Sequence, residues 1–147
     1  MASKWYGKGL LKVADRTIDF ANDTIKAILV NASYTYNADH DFANDVSSNE
    51  LSGTGYTGGF GGSGRKTLAS KTILEDAAND RIEYDFADIT WTALNAGTIG
   101  GIVLVKEGTN DADSAIIAFL DPSDLVTNGG DVTLVVNAET ALQISYA

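Results

Sequence analysis

Cysteine is absent from this chain and histidine occurs once, at His40. The first absence excludes a disulfide framework, a thiolate nucleophile and any zinc site built on sulfur. The second excludes every metal site that needs two imidazoles. A chain without cysteine fits synthesis in a reducing compartment. Proline also occurs once, at Pro122, so other residues must mark the turns. Glutamate, a filler of solvent-facing helices, is scarce at five residues against fifteen aspartates. No run approaches the roughly 18 apolar residues of a membrane-crossing helix. Met1 to Leu10 lacks the apolar stretch of a secretory signal.

What is abundant points one way. Fifteen Asp, ten Asn and fifteen Gly favour turns, because Asp and Asn bond to nearby backbone and Gly tolerates positive φ. The 147 residues suffice for one domain that buries roughly 70% of its unfolded surface. A net charge of -10 disfavours nucleic acid as a general partner. That charge is uneven. Lys4, Lys8 and Lys12 give the first twelve residues a local +3, whereas the rest of the chain carries -13. Trp5 and Tyr6 add aromatic surface to the basic start. Residues 1–12 therefore read either as a solvated, frayed terminus or as a docking arm for an acidic or apolar neighbour, with residues 13–147 forming the domain proper.

Along the chain, Leu10 to Ala14 fits a short strand or a helical turn equally well. Asp23 to Ser33 is expected to be a strand, with Ile25, Ala27 and Leu29 on one face and Ile28 and Val30 on the other, so both faces are buried. One helical turn is expected near Asp41 to Val46. Gly53 to Gly64 holds seven glycines and excludes a regular element. Lys66 to Leu74 and Arg81 to Trp91 read as a hairpin around Ala77 to Asp80. Thr98 to Lys106 is an apolar strand whose internal glycines permit a bulge. Ala115 to Leu120 is another strand, and Asp121 to Asp131 a long connection. Val132 to Val136 and Leu142 to Tyr146 close the chain around a turn at Asn137 to Thr140. Seven or eight strands at near-regular spacing predict an all-β fold, a single antiparallel β-sandwich or jelly-roll-like domain.

Most chemical motifs dissolve in context. Gly53-Thr54-Gly55-Tyr56-Thr57-Gly58 matches the dinucleotide fingerprint literally, but no strand precedes it and no helix follows. In Gly59 to Thr67, Arg65 stands where a phosphate-binding loop needs lysine. Asp39, His40 and Asp41 have donors for a cation or a base, yet neighbours in an Asp-rich loop point in different directions. Asn110, Asp111 and Asp113 lack the glycine and distal glutamate of a calcium loop. Tyr84, Phe86, Trp91 and Phe119 lie in strand patterns and belong to the core. Neither a catalytic set nor a cofactor or metal site is expected.

One ordered combination goes further. Ile18 to Tyr34 (IDFANDTIKAILVNASY) resembles the opening of a family of small tailed-phage virion proteins. His40 to Val46 continues the likeness, and Glu50 to Thr57 fits that family's E-x-S/T-G-T-G-Y-T stretch. Asp88 to Trp91, Thr98 to Gly100 and Ala115 to Asp121 are similar to its later elements. Gly101 and Ile102 depart from the pattern, which has an arginine or aromatic there, and the departure is expected to alter a surface contact. The resemblance implies a virion structural role, preferably head decoration (a cement protein), with the major capsid protein and further copies of the same chain, as a trimer, as partners. Trp5, Tyr6, Lys8 and Lys12 would then dock on the shell, and removal of residues 1–12 would abolish attachment while sparing the fold. A tail, collar or baseplate component is the alternative. A carbohydrate-binding module, with Tyr34, Tyr36, Tyr56 and Phe60 as platform, is a further one.

Overall fold

The computed structural model describes residues 1–136 and 141–146. It is an all-β, sandwich-like, antiparallel fold with one α-helix. Strand β1 (Ala2–Trp5) leads into helix α1 (Gly7–Ala14), and the long strand β2 (Ile25–Asn31) follows. Two single-turn 3-10 helices, Ala43–Asp45 and Ser47–Asn49, interrupt the polar segment. The remaining strands are β3 (Lys66–Thr67), β4 (Thr72–Asp76), β5 (Arg81–Asp85), β6 (Ile89–Trp91), β7 (Thr98–Lys106), β8 (Ile116–Asp121), β9 (Leu125–Val126), β10 (Val132–Leu134) and β11 (Leu142–Ser145).

The main sheet runs β1-β8-β7-β2-β3, with β9 paired to the start of β7. Its centre is apolar on both sides, as alternation in β2 predicts. Ile25, Ala27 and Leu29 join Ile102, Leu104, Ile117 and Leu120 in the larger core. Ile28 and Val30 join Val103, Val105, Ile116 and Phe119 in a second cluster on the opposite face. A three-stranded sheet, β11-β5-β4, and the pair β10-β6 cover the larger core with Tyr84, Phe86, Ile89, Trp91, Leu134 and Leu142. The second face is closed by Tyr6, Ala43 and Val46, with Tyr34 and Tyr36 at its edge. Trp91 is wholly buried, and its indole N–H donates to the Gly64 carbonyl at 2.8 Å.

The glycines of β7 act as expected. Val30 pairs with Gly101 and Asn31 with Ile99, so Gly100 is skipped in the ladder as a bulge. A Cβ on Gly101 would stand 2.2 Å from the Phe119 ring. Gly101 and Ile102 are buried, so their departure from the virion-family pattern alters interior packing rather than a surface contact.

Several expectations change. The expected hairpin strands each split. Lys66–Thr67 pairs with β2, and Ser70 takes a positive φ of 52° where the chain turns away. Only then does Thr72–Asp76 pair with β5. Likewise β5 and β6 belong to different sheets, because a twisted sheet cannot keep one eleven-residue strand on a small core. Among the described residues there are eleven strands where seven or eight were expected, β3 and β9 being dipeptides that sequence alternation cannot register. The closing strands pair with β6 and β5 instead of each other. The turn expected at 137–140 lies outside the described residues.

Residues 1–12 are not an arm. β1 forms a full ladder with β8, from Ala2 opposite Asp121 to Trp5 opposite Ala118. α1 then lies directly on β8, and Gly9 permits this: a Cβ there would meet the Ile116 carbonyl at 2.5 Å. The boundary at residue 12 therefore falls inside a continuous structural unit.

Candidate functional site

The four docking candidates are positioned by β1 and α1, and only one faces solvent freely. Tyr6 is fully buried at the centre of an aromatic cluster. Its ring lies 5.2 Å from Tyr36, and its hydroxyl is 2.6 Å from that of Tyr34. Burial, the Tyr34 bond and neighbouring phenols push the Tyr6 hydroxyl well above the ordinary tyrosine range. Trp5 packs edge-on to Tyr84 at 5.0 Å and donates its indole N–H to the Gln143 carbonyl. Lys12 is paired with Asp41 and lies 4.4 Å over the Phe42 ring. Lys8 also reaches Asp41, at 3.3 Å, but keeps 59% of its side chain exposed. The basic start is thus largely answered by Asp41 within the same molecule.

Asp41 belongs to the acid–histidine cluster read from the sequence. Burial alone would raise its carboxyl, but bonds from Lys12 and Lys8 outweigh that and hold it below the usual range. His40 turns elsewhere: its Nδ1 lies 3.2 Å from the Tyr34 hydroxyl. Asp41 and His40 therefore serve different neighbours. Among the described residues no group of three His, Cys, Asp or Glu side chains is arranged to hold a metal ion.

The strongest polar constellation lies in the glycine-rich segment. Arg65 donates from Nε and Nη2 to the two carboxylate oxygens of Glu50, at 2.9 and 2.6 Å. It also donates from Nη1 and Nη2 to Asp111, at 2.6 and 3.1 Å. The Arg65 and Glu50 side chains are each only 4% exposed. Burial alone would favour neutral Arg65, but Glu50 and Asp111 overcome this and secure the cation. Tyr56 completes the network: its hydroxyl donates to Glu50 and accepts from the Leu29 N–H, both at 3.0 Å. The Gly59 N–H also donates to Glu50.

These bonds explain both sequence lures. Gly53 to Gly58 is a loop in which Gly55 takes a φ of 78°, and the Tyr56 hydroxyl ties it to Glu50, the carboxylate that Arg65 holds. Asp111 answers that arginine, and Asp113 accepts from the Thr109 and Asn110 N–H groups, so the calcium-like trio stabilises its own turn. Sequence reasoning read Arg65 only as a misplaced lysine. The signal was one arginine after seven glycines, with Glu50 before it; Asp111 comes from a distant loop. The sugar-platform aromatics disperse as well. Tyr56 is 1% exposed and bound, Tyr34 and Tyr36 edge the second core cluster, and Phe60 alone is well exposed.

Surface grooves are open. One on the β4/β5 hairpin, about 390 Å³, is lined by Leu74, Asp76, Arg81, Glu83 and Asp85, and another, about 460 Å³, lies between Met1, Ser3, Leu142 and Gln143. In the first, Arg81 pairs with Asp76 and Glu83. Among the described residues no helix is long and apolar enough to cross a membrane. Compared with family models, curated proteins and solved structures, the chain matches none.

Proposed function

We propose that this chain is a tailed-phage virion structural protein, and specifically a head decoration protein that stabilises the shell. The observation that carries the reading is the ordered resemblance from Ile18 to Asp121. Its elements coincide with structural determinants of the fold: the two-sided strand β2, the Glu50–Tyr56 part of the buried network, Trp91, and β8. A resemblance borne by core and network residues supports shared architecture, and architecture is the product a structural protein supplies. In this reading the major capsid protein is the partner, and copies of the chain associate as a trimer.

The docking hypothesis is narrowed by burial. Tyr6 is enclosed, and Trp5 and Lys12 are engaged within the molecule. Lys8, together with Leu11 at 62% exposure on the same helix, is the surface that α1 offers a shell. Locating the chain in a reconstruction of intact particles tests the function directly. Hundreds of copies over the head are expected; a small ring at the neck or tail would replace decoration with the collar or baseplate reading. Charge reversal at Lys8 should reduce occupancy on particles, with only a small drop in melting temperature from its exposed contact with Asp41.

A further inference from the structure

The three-stranded sheet ends in an open edge. β4 pairs with β5 on one side, and among the described residues no strand lies on the other. Four of its five residues are exposed, among them Ile73 at 42% and Leu74 at 62%. Among the described residues, no backbone bond from residues 72–75 is made beyond the β5 ladder. The opposite end of the main sheet differs: at β1 the Trp5 carbonyl accepts from the Tyr36 hydroxyl, and the Trp5 indole reaches β11. An unpaired strand with two exposed aliphatic side chains is a template for another strand.

We infer that β4 pairs antiparallel with β4 of a second copy, joining two three-stranded sheets into one continuous sheet. The inference goes beyond the reading above: a two-fold contact cannot lie inside a three-fold ring, so it joins a copy in one trimer to a copy in the next. Symmetry and charge select one register. A two-fold axis normal to the sheet keeps each side chain on its own face, so the axis must pass through a residue pair. Centring on Glu75 would set two glutamates against each other. Centring on Ile73 shortens the ladder, because β4 begins at Thr72 and the chain turns away at Ser70, whose φ is 52°. Centring on Leu74 uses all five residues: Leu74 meets Leu74, Ile73 meets Glu75, and Thr72 meets Asp76. No like charges oppose in that register.

The acids that guard this edge, Glu75 and Asp76, are therefore accommodated opposite an aliphatic and a hydroxyl side chain. A five-residue ladder falls below the roughly 1,200 Å² of a standard stable interface, so the contact is weak in dilute solution. It strengthens where copies are held close together, as on a repeating surface. Two bodies of charge -10 also repel, so added salt should tighten the pair.

Sedimentation velocity over a wide concentration range tests the inference on the full chain. Reversible association that strengthens with salt and disappears in Leu74→Lys is expected. Thr72→Lys, placing a lysine opposite each Asp76, should tighten association roughly five-fold. Because the chain has no cysteine, Leu74→Cys supplies a single thiol on the axis. Under oxidation it should cross-link far more than Glu75→Cys, whose thiols lie off the axis. Monomer at every concentration, association unchanged in Leu74→Lys, or equal cross-linking of the two cysteine variants would overturn the inference. All three readouts are made in solution, so they fail independently of copy number on particles.

Discussion

Arg65 shows how one side chain can organise a loop that has no regular structure. Its five donors fit two carboxylates, and both Arg65 and Glu50 are withdrawn from water. Removing one partner of a buried pair leaves the other uncompensated. Arg65→Met should therefore cost about 3–5 kcal/mol, measurable by urea denaturation. Arg65→Lys should recover little, since an ammonium cannot span both Glu50 and Asp111 bidentately. Gly101 makes a complementary point about space. Gly101→Ala forces the Phe119 ring aside and should destabilise the fold by about 1–3 kcal/mol, with the loss appearing in thermal unfolding.

At the scale of elements, β1 and α1 determine how the main sheet ends. β1 covers the edge of β8, and Tyr6 seals the second core cluster behind Phe119 and Ile116. Deleting residues 1–12 removes the strand, that seal and most of the helix. The truncated chain is expected to lose cooperative unfolding and near-ultraviolet circular dichroism; a sharp, unshifted transition would contradict this. Full burial of Tyr6 accounts for the change from the sequence expectation that removal would spare the fold. Its single-residue version, Tyr6→Ala, should cost about 3–5 kcal/mol by analogy with other large-to-small aromatic changes.

At the scale of the whole molecule, excess negative charge opposes local pairing. The bond from Lys106 holds the Asp23 carboxyl below its ordinary range, and Asp45 is held low mainly by the Asp41 backbone N–H. Lys12 and Lys8 do the same for Asp41 against the effect of burial. A carboxyl depressed in the folded state contributes stability above its unfolded pKa, about 3.9, and loses it as pH falls through the folded value. Unfolding free energy should therefore decline below about pH 4. Relief of the net charge acts oppositely, so Asp41→Asn should be compared: it should lower stability at neutral pH and flatten the acid decline.

What the sequence by itself determined was local and periodic. Alternation in β2 and β7 is dictated by the two-residue repeat of a strand, and both emerge close to their predicted limits with both faces buried. The all-β class, the helical turn near Val46 and the bulge at Gly100 follow from equally local chemistry. Tertiary structure decided the rest, because its causes lie far apart in the chain. Arg65 meets an aspartate forty-six residues away, Lys12 meets one twenty-nine away, and Lys66 and Thr72 enter different sheets although six residues apart. Basic and aromatic residues at a terminus have the same composition whether they reach outward or close a core. The ladder to β8, with Gly9 allowing α1 against it, settles that choice for Tyr6 by burying it.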